Sequence, residues 1–234
     1  MTKHQYEQNG LHFEGFLATP DTKEPRPAVL IVHDWSGRNA FADEKAKKIA
    51  ELGYVGFAVD LYGNGQVATT NEDKSALMHP LMTERALIRS RLQTALNEVR
   101  KLPSVDSKKI AIMGFCFGGL CALELARSGA EILGTVTFHG LLHADPQMKT
   151  APIHAKILAL HGYDDPMVPP EKVIAFAKEM TTAGADWQLH AYGNTLHAFT
   201  NPAAHDTKLG LIFDEAANRR SWIALENFLA EIFG

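Results

Sequence analysis

Cysteine is nearly absent from this 234-residue chain. The two present, Cys116 and Cys121, lie five positions apart, which excludes a disulfide framework and suits a reducing, cytoplasmic compartment. Neither sign of charge dominates: 23 Lys and Arg against 27 Asp and Glu leave a net charge of -4. Without a basic cluster the chain lacks the electrostatic footprint of nucleic-acid binding. No apolar run approaches the roughly 20 residues of a membrane-spanning helix, and the polar residues 1–10 lack the apolar segment of a signal peptide. Neither H-E-x-x-H nor C-x-x-C spacing occurs, so no metal and no cofactor are expected. There is also no internal repeat and no Pro/Gly/Ser-rich linker, which predicts one domain over residues 1–234.

What is present is an alternation of strand-like and helix-like segments, at 46% hydrophobic and 21% charged residues, ordinary for a globular protein. Residues 11–18 alternate as an early exposed strand does, and residues 28–33 form a short continuous apolar run typical of a buried parallel strand. Helical spacing over 42–52 stops at Gly53, and a strand follows at 55–60. Residues 67–80 are the least regular and read as an excursion over one end of the sheet. A long amphipathic helix is predicted over 83–102, strands at 110–113, 133–138, 157–160 and 187–192, helices at 120–127 and 172–183, and a closing helix over 210–233. Such alternation implies an α/β fold with a mostly parallel central sheet, helices on both faces, and ligands at the carboxyl ends of the strands.

One strand end carries an unusual sequence. Gly114-Phe115-Cys116-Phe117-Gly118-Gly119 joins the apolar run 110–113 to the helix-like segment 120–127. It reads as a strand, a sharp turn and a helix, the cysteine form of the G-x-S-x-G nucleophile elbow. A thiol attacks as the thiolate, which requires a base or an electropositive site such as a helix N-terminus. In chain order the base follows the nucleophile and the acid, and His197, just after the strand ending at Tyr192, suits that role. His33, His139 and His161 also stand at strand ends and are candidates to line the pocket. The acid is expected in Asp164-Asp165-Pro166, with Asp165 preferred and Asp164 as the local alternative. Two backbone donors must hold an oxyanion: Phe117 N–H, directly after the nucleophile, and Trp35 N–H, in the loop that leaves the strand at 28–33. Beside Trp35, Asp34 reads either as a carboxylate acting on the thiol or as the cap of the next segment.

Taken together, His33-Asp34-Trp35-Ser36-Gly37-Arg38, Val59-Asp60-Leu61-Tyr62-Gly63, the Cys116 elbow, Asp165-Pro166-Met167-Val168-Pro169 and His197-Ala198-Phe199 resemble the dienelactone hydrolase family, over a span from about Gly10 to the C-terminus. The resemblance implies an α/β-hydrolase fold and a carboxylic ester hydrolase of the carboxymethylenebutenolidase type. Its triad carries over as Cys116, Asp165 and His197, and its oxyanion donors as the main chains of Trp35 and Phe117. Family members also gate the resting thiol with a Glu, whose position is taken here by the shorter Asp34.

This chain departs from the family in substrate recognition. Members acting on the dicarboxylate-like lactone use arginines, whereas the position four after His197 is Asn201 and the segment before the long helix offers Lys74. Tyr62, Phe115 and Phe199, with Trp35 and Phe117, suggest an apolar pocket. The expected partner is therefore a small-molecule ester or lactone, with no nucleic acid and no membrane. A broad carboxylesterase or thioesterase is the alternative, and a ligand-binding protein without turnover is the remaining class.

Overall fold

The continuous apolar runs become buried strands, and the spaced ones become helices. In the computed structural model, which describes residues 1–234, the fold is a mostly parallel eight-stranded sheet with helices on both sides. The chain divides into two compact units, residues 1–113 and 114–234. No helix is long and apolar enough to cross a membrane.

The first unit holds β1 (Thr2–Gln8), β2 (Leu11–Ala18), β3 (Arg26–Val32), α1 (Ala40–Glu51), β4 (Val55–Val59), α2 (Asn71–Thr83), α3 (Arg85–Arg100) and most of β5 (Val105–Phe115). Its strands lie in the order β1-β2-β4-β3-β5. β3 and β4 pair in parallel, while β2 runs antiparallel to both β1 and β4. Every residue of β4 and the last five of β3 are buried, as expected of parallel strands covered on both faces. Each fully buried Val, Leu, Ile or Phe among them contributes about 1.5–3 kcal/mol.

Several boundaries differ from those expected. β1 is an additional strand, held to β2 across the Asn9-Gly10 turn, with the Tyr6 ring stacked on Phe13 at 5.1 Å. Most of the excursion at 67–80 lies in a regular helix, α2, which runs on to Thr83 and whose cap Thr70 accepts from Asp73 N at 3.1 Å. Leu81 is its only buried residue, so it carries no apolar stripe. At Glu84 the backbone leaves helical geometry (φ -123°, ψ 79°), separating α2 from α3.

The second unit holds the end of β5, α4 (Phe117–Arg127), β6 (Gly134–Phe138), β7 (Lys156–Gly162), α5 (Pro170–Thr182), β8 (Trp187–Tyr192), β9 (His205–Asp206), β10 (Leu211–Ile212) and α6 (Glu215–Phe233). β6, β7 and β8 pair in parallel, and β9 pairs with β10 antiparallel. All eleven residues of α4 are buried. The closing helix starts later than the expected residue 210, because 211–212 form β10 and Asp214 caps α6 by accepting from Ala217 N at 2.7 Å.

A buried ion cluster fixes the long connection between β6 and β7. Arg127, without solvent exposure, donates to Glu179 through Nε and Nη2 at 2.8 Å each, to Glu124 at 3.2 Å and to Leu142 O at 2.7 Å. Its own carbonyl accepts from Ala151 N at 2.8 Å. One side chain and its backbone thus pin both ends of that connection.

Candidate active site

In the second unit the chain turns sharply from β5 into α4 at Cys116, whose φ of 54° and ψ of -117° are unusual for a side-chain-bearing residue. The turn is tight because its glycines touch: a Cβ on Gly114 would overlap the Gly118 carbonyl. Cys116 N–H donates to Phe138 O at 3.0 Å, anchoring the elbow to the end of β6. Unlike Cys121, which is buried in α4, Cys116 is half-buried. Phe117 opens α4, so its N–H belongs to the first turn, where donors lack intrahelical acceptors and the helix dipole is positive.

Asp165 follows β7 in a turn closed by Asp165 N to Gly162 O at 3.1 Å. Its Oδ1 accepts from Met167 N at 2.8 Å, and its Oδ2 lies 2.6 Å from His197 Nδ1. Asp164 makes no such contact: its N–H donates to Thr195 O at 3.0 Å. This backbone bond brings the Asp loop alongside the His loop. The passage is so close that a Cβ on Gly162 would come within 2.6 Å of Thr195 O.

His197 itself is fully buried. Its carbonyl accepts from Ile212 N at 2.9 Å, a bridge to β10, and the next residue, Ala198, has φ of 60°. With Nδ1 engaged by Asp165, Nε2 has no partner at conventional hydrogen-bond distance. Burial alone would depress the imidazole. The nearby Cys116 charge, then the Asp165 hydrogen bond, more than reverse this and lift its pKa to about 10. The arrangement can therefore hold a proton on His197 beside a sulfur, and can pass that proton through Nε2.

Two further histidines of the second unit were among the strand-end candidates. His139 is buried, with Nε2 2.8 Å from Thr200 Oγ1. His161 is also buried, neither ring nitrogen has a partner, and burial holds its pKa below the ordinary value. The aromatic candidates here are interior: Phe115 stacks on Phe138 at 4.8 Å, and Phe199 packs edge-on against His139 and Tyr192 at 5.0 and 5.6 Å. Thr200 was not anticipated. Only its position three residues after His197 could have drawn notice.

In the first unit, the loop after β3 is ordered by its own contacts. Asp34 Oδ1 accepts from Ser36 N at 2.8 Å and from the Ser36 hydroxyl, whereas α1 is capped by Asn39, which accepts from Phe41 N at 3.0 Å. Asp34 is therefore not the cap of α1. The buried His33 accepts from Leu61 N at 3.2 Å through Nε2, so Nδ1 carries the proton donated to Asp34 O at 2.6 Å. Burial lowers the pKa of this ring. Tyr62 OH donates to Trp35 O at 2.8 Å, and the Lys74 ammonium lies 5.4 Å above the Trp35 ring. Asp60 is structural, its carboxylate accepting from Gly63 N, Gly65 N and Glu14 N at 2.8–3.1 Å.

Comparison with known proteins bears on the whole chain. Residues 13–233 match the model of the dienelactone hydrolase family. A protein of Aquifex aeolicus that carries a provisional carboxymethylenebutenolidase name is 30% identical over 229 residues, spanning 96% of this chain and 95% of its own. A crystal structure described as a dienelactone hydrolase-like promiscuous phosphotriesterase, P91, from metagenomic libraries is 36% identical. It superposes with a TM-score of 0.95, covering all of this chain and 98% of the other. An esterase from Thermogutta terrifontis, 17% identical with a TM-score of 0.70 over 99% of this chain and 94% of its own, shares the fold. An elbow cysteine, an aspartate bonded to a buried histidine, and a match that runs nearly end to end agree with one another: the chain belongs to the dienelactone hydrolase family and is a hydrolase.

Proposed function

We propose that this protein opens a lactone or cleaves a carboxylic ester through a thioester acyl-enzyme formed on Cys116. The observation that carries this reading is the 2.6 Å bond between Asp165 and a buried His197, which fixes Nδ1 and leaves Nε2 as the nitrogen available to the Cys116 sulfur. His197 Nε2 takes the thiol proton while Asp165 holds Nδ1–H, and the sulfur attacks the carbonyl carbon. The oxyanion accepts from Phe117 N–H. Trp35 N–H is the second donor on the strength of its motif, and each such donor is worth about 3–4 kcal/mol to the barrier. When the intermediate collapses, the C–O bond breaks and the alkoxide takes the proton from Nε2. Water, deprotonated by His197, then hydrolyses the thioester and returns the proton to sulfur.

The chemistry favours an uncharged acyl group. Asn201 offers no cation, Lys74 is engaged on the Trp35 ring, and Asp34, turned to Ser36, is the proposed counterpart of the family's gating Glu. The family match crosses both units, which supports reading them as one catalytic domain. The test is Cys116→Ala with an activated aryl ester. The parent should give a burst of alcohol and an acyl mass shift on the Cys116 peptide, and the variant neither; unchanged turnover in the variant would refute the mechanism. The 36% identity to a promiscuous phosphotriesterase favours a second reading, in which the same sulfur attacks phosphorus. A dialkyl aryl phosphate assayed beside the ester separates the two.

A further inference from the structure

The end of β6 carries a side chain that the reaction above leaves unused. His139 is buried, and its φ of 39° lies in the left-handed region that residues other than glycine rarely adopt. A backbone held in that conformation at a candidate site needs a reason, and the contacts of His139 supply one. Its N–H donates to Leu160 O at 2.8 Å, its Nε2 lies 2.8 Å from Thr200 Oγ1, and its ring meets His197 edge to face at 5.2 Å and 64°. The residue before it, Phe138, accepts the Cys116 N–H. One dipeptide therefore touches the backbone of the nucleophile and the ring of the base.

Asp165 holds His197 through a single hydrogen bond at Nδ1. That bond fixes the tautomer, but a ring anchored at one atom can still tilt about the Nδ1···Oδ2 line. A second contact on the ring face removes that freedom. His139 is suited to give it because its own ring cannot swing away: Thr200, fully buried, engages Nε2, and Phe199 closes the side at 5.0 Å. The same engagement keeps Nε2 from acting on substrate, so the contribution of His139 passes through His197.

We propose that His139, braced by Thr200, is a positioning residue that holds the His197 ring in the plane where Nε2 meets Cys116. The inference rests on the triad proposed above. Displacing a reacting group by an ångström can cost up to about a hundredfold in rate. Thr200→Val removes the hydroxyl at constant shape, and His139→Phe keeps an aromatic edge against His197 while deleting the hydrogen bond. Each should lower kcat for an aryl ester about tenfold or more with KM nearly unchanged. The double variant should be no slower than either single, because both break one interaction, and Thr200→Ser should restore the parent rate.

Should Thr200→Val not fold, His139→Phe alone carries the same expectation. A kcat within twofold of the parent, additive losses in the double variant, or a loss shared between kcat, KM and melting temperature that Thr200→Ser does not repair would overturn the proposal. Cys116→Ala assayed in parallel separates the failures. If it still turns over, the triad reading falls and this inference with it. If it is inactive while Thr200→Val matches the parent, only the positioning role falls.

Discussion

Asp165→Asn tests the base through its anchor, and the structure dictates how the new amide sits. Oδ1 accepts from the Met167 N–H at 2.8 Å, so the amide oxygen takes that place and the NH2 group is left facing His197 Nδ1. Two donors then oppose one another across 2.6 Å, unless the ring moves its proton to Nε2. In that tautomer Nε2 can no longer accept from Cys116. Keeping the working tautomer instead forfeits a hydrogen bond to a charged group, about 1.5–3 kcal/mol, and buries an unsatisfied donor at a further 1–3 kcal/mol. The sum, about 2.5–6 kcal/mol, corresponds to roughly two to four decades in rate at 1.36 kcal/mol per decade.

Stopped-flow hydrolysis of an aryl ester by folded Asp165→Asn protein should show acylation slowed by that factor. Iodoacetamide should trap Cys116 more slowly near neutral pH, because the carboxylate that helps to lift the His197 pKa is gone. Asp164→Asn, whose contact to the His loop is a backbone bond, should stay within about threefold of the parent. A loss below tenfold in Asp165→Asn, or equal losses in the two variants, would refute the assignment of Asp165.

Two other perturbations probe the scaffold. Arg127→Met removes the cation at the centre of the buried cluster together with its bonds to Glu124, Glu179 and Leu142 O; urea unfolding should show a loss of about 3–5 kcal/mol, and a loss under 1 kcal/mol would count against the cluster's role. His161 concerns pH. Burial lowers its pKa from 6.5 in the folded chain, so the unfolded chain binds more protons as pH falls below that value. The resulting stability is present above about pH 6.5 and lost on acidification. His161→Leu should shrink the drop in melting temperature between about pH 7 and pH 5, with His33, depressed in the same direction, accounting for part of the remainder; an unchanged drop would exclude His161 as a contributor.

The elements that sequence periodicity located are those whose burial is simple. β3, β4 and β7 are built on buried apolar runs, and the elbow at Cys116 has glycines where backbones touch. The elements it missed have other origins. β1 presents only Tyr6 to the interior, so no alternation marks it, although Asn9-Gly10, with φ of 51° and 78°, is a hairpin signal. α2 is helical through its Thr70 cap and local propensity, with almost nothing buried. β10 is two residues long, paired with the equally short β9 and joined to His197 O through Ile212 N, so it is too brief for any periodicity to mark it. At the site, the chain order of an elbow cysteine, an aspartate and a histidine was legible, and geometry distinguishes Asp165 from its neighbour. The bracing of His139 by Thr200 was not legible, since it joins residues 61 positions apart.

The left-handed backbone at Cys116 also limits which amino acids evolution can try there. A β-branched side chain is poorly tolerated at positive φ, so threonine is closed to this position even though its hydroxyl could serve as a nucleophile. Serine differs from cysteine by one atom and asks nothing new of the turn. Exchange between thiol and hydroxyl chemistry is thus open to a single substitution, and the elbow decides which nucleophiles a lineage can sample before selection acts on any of them.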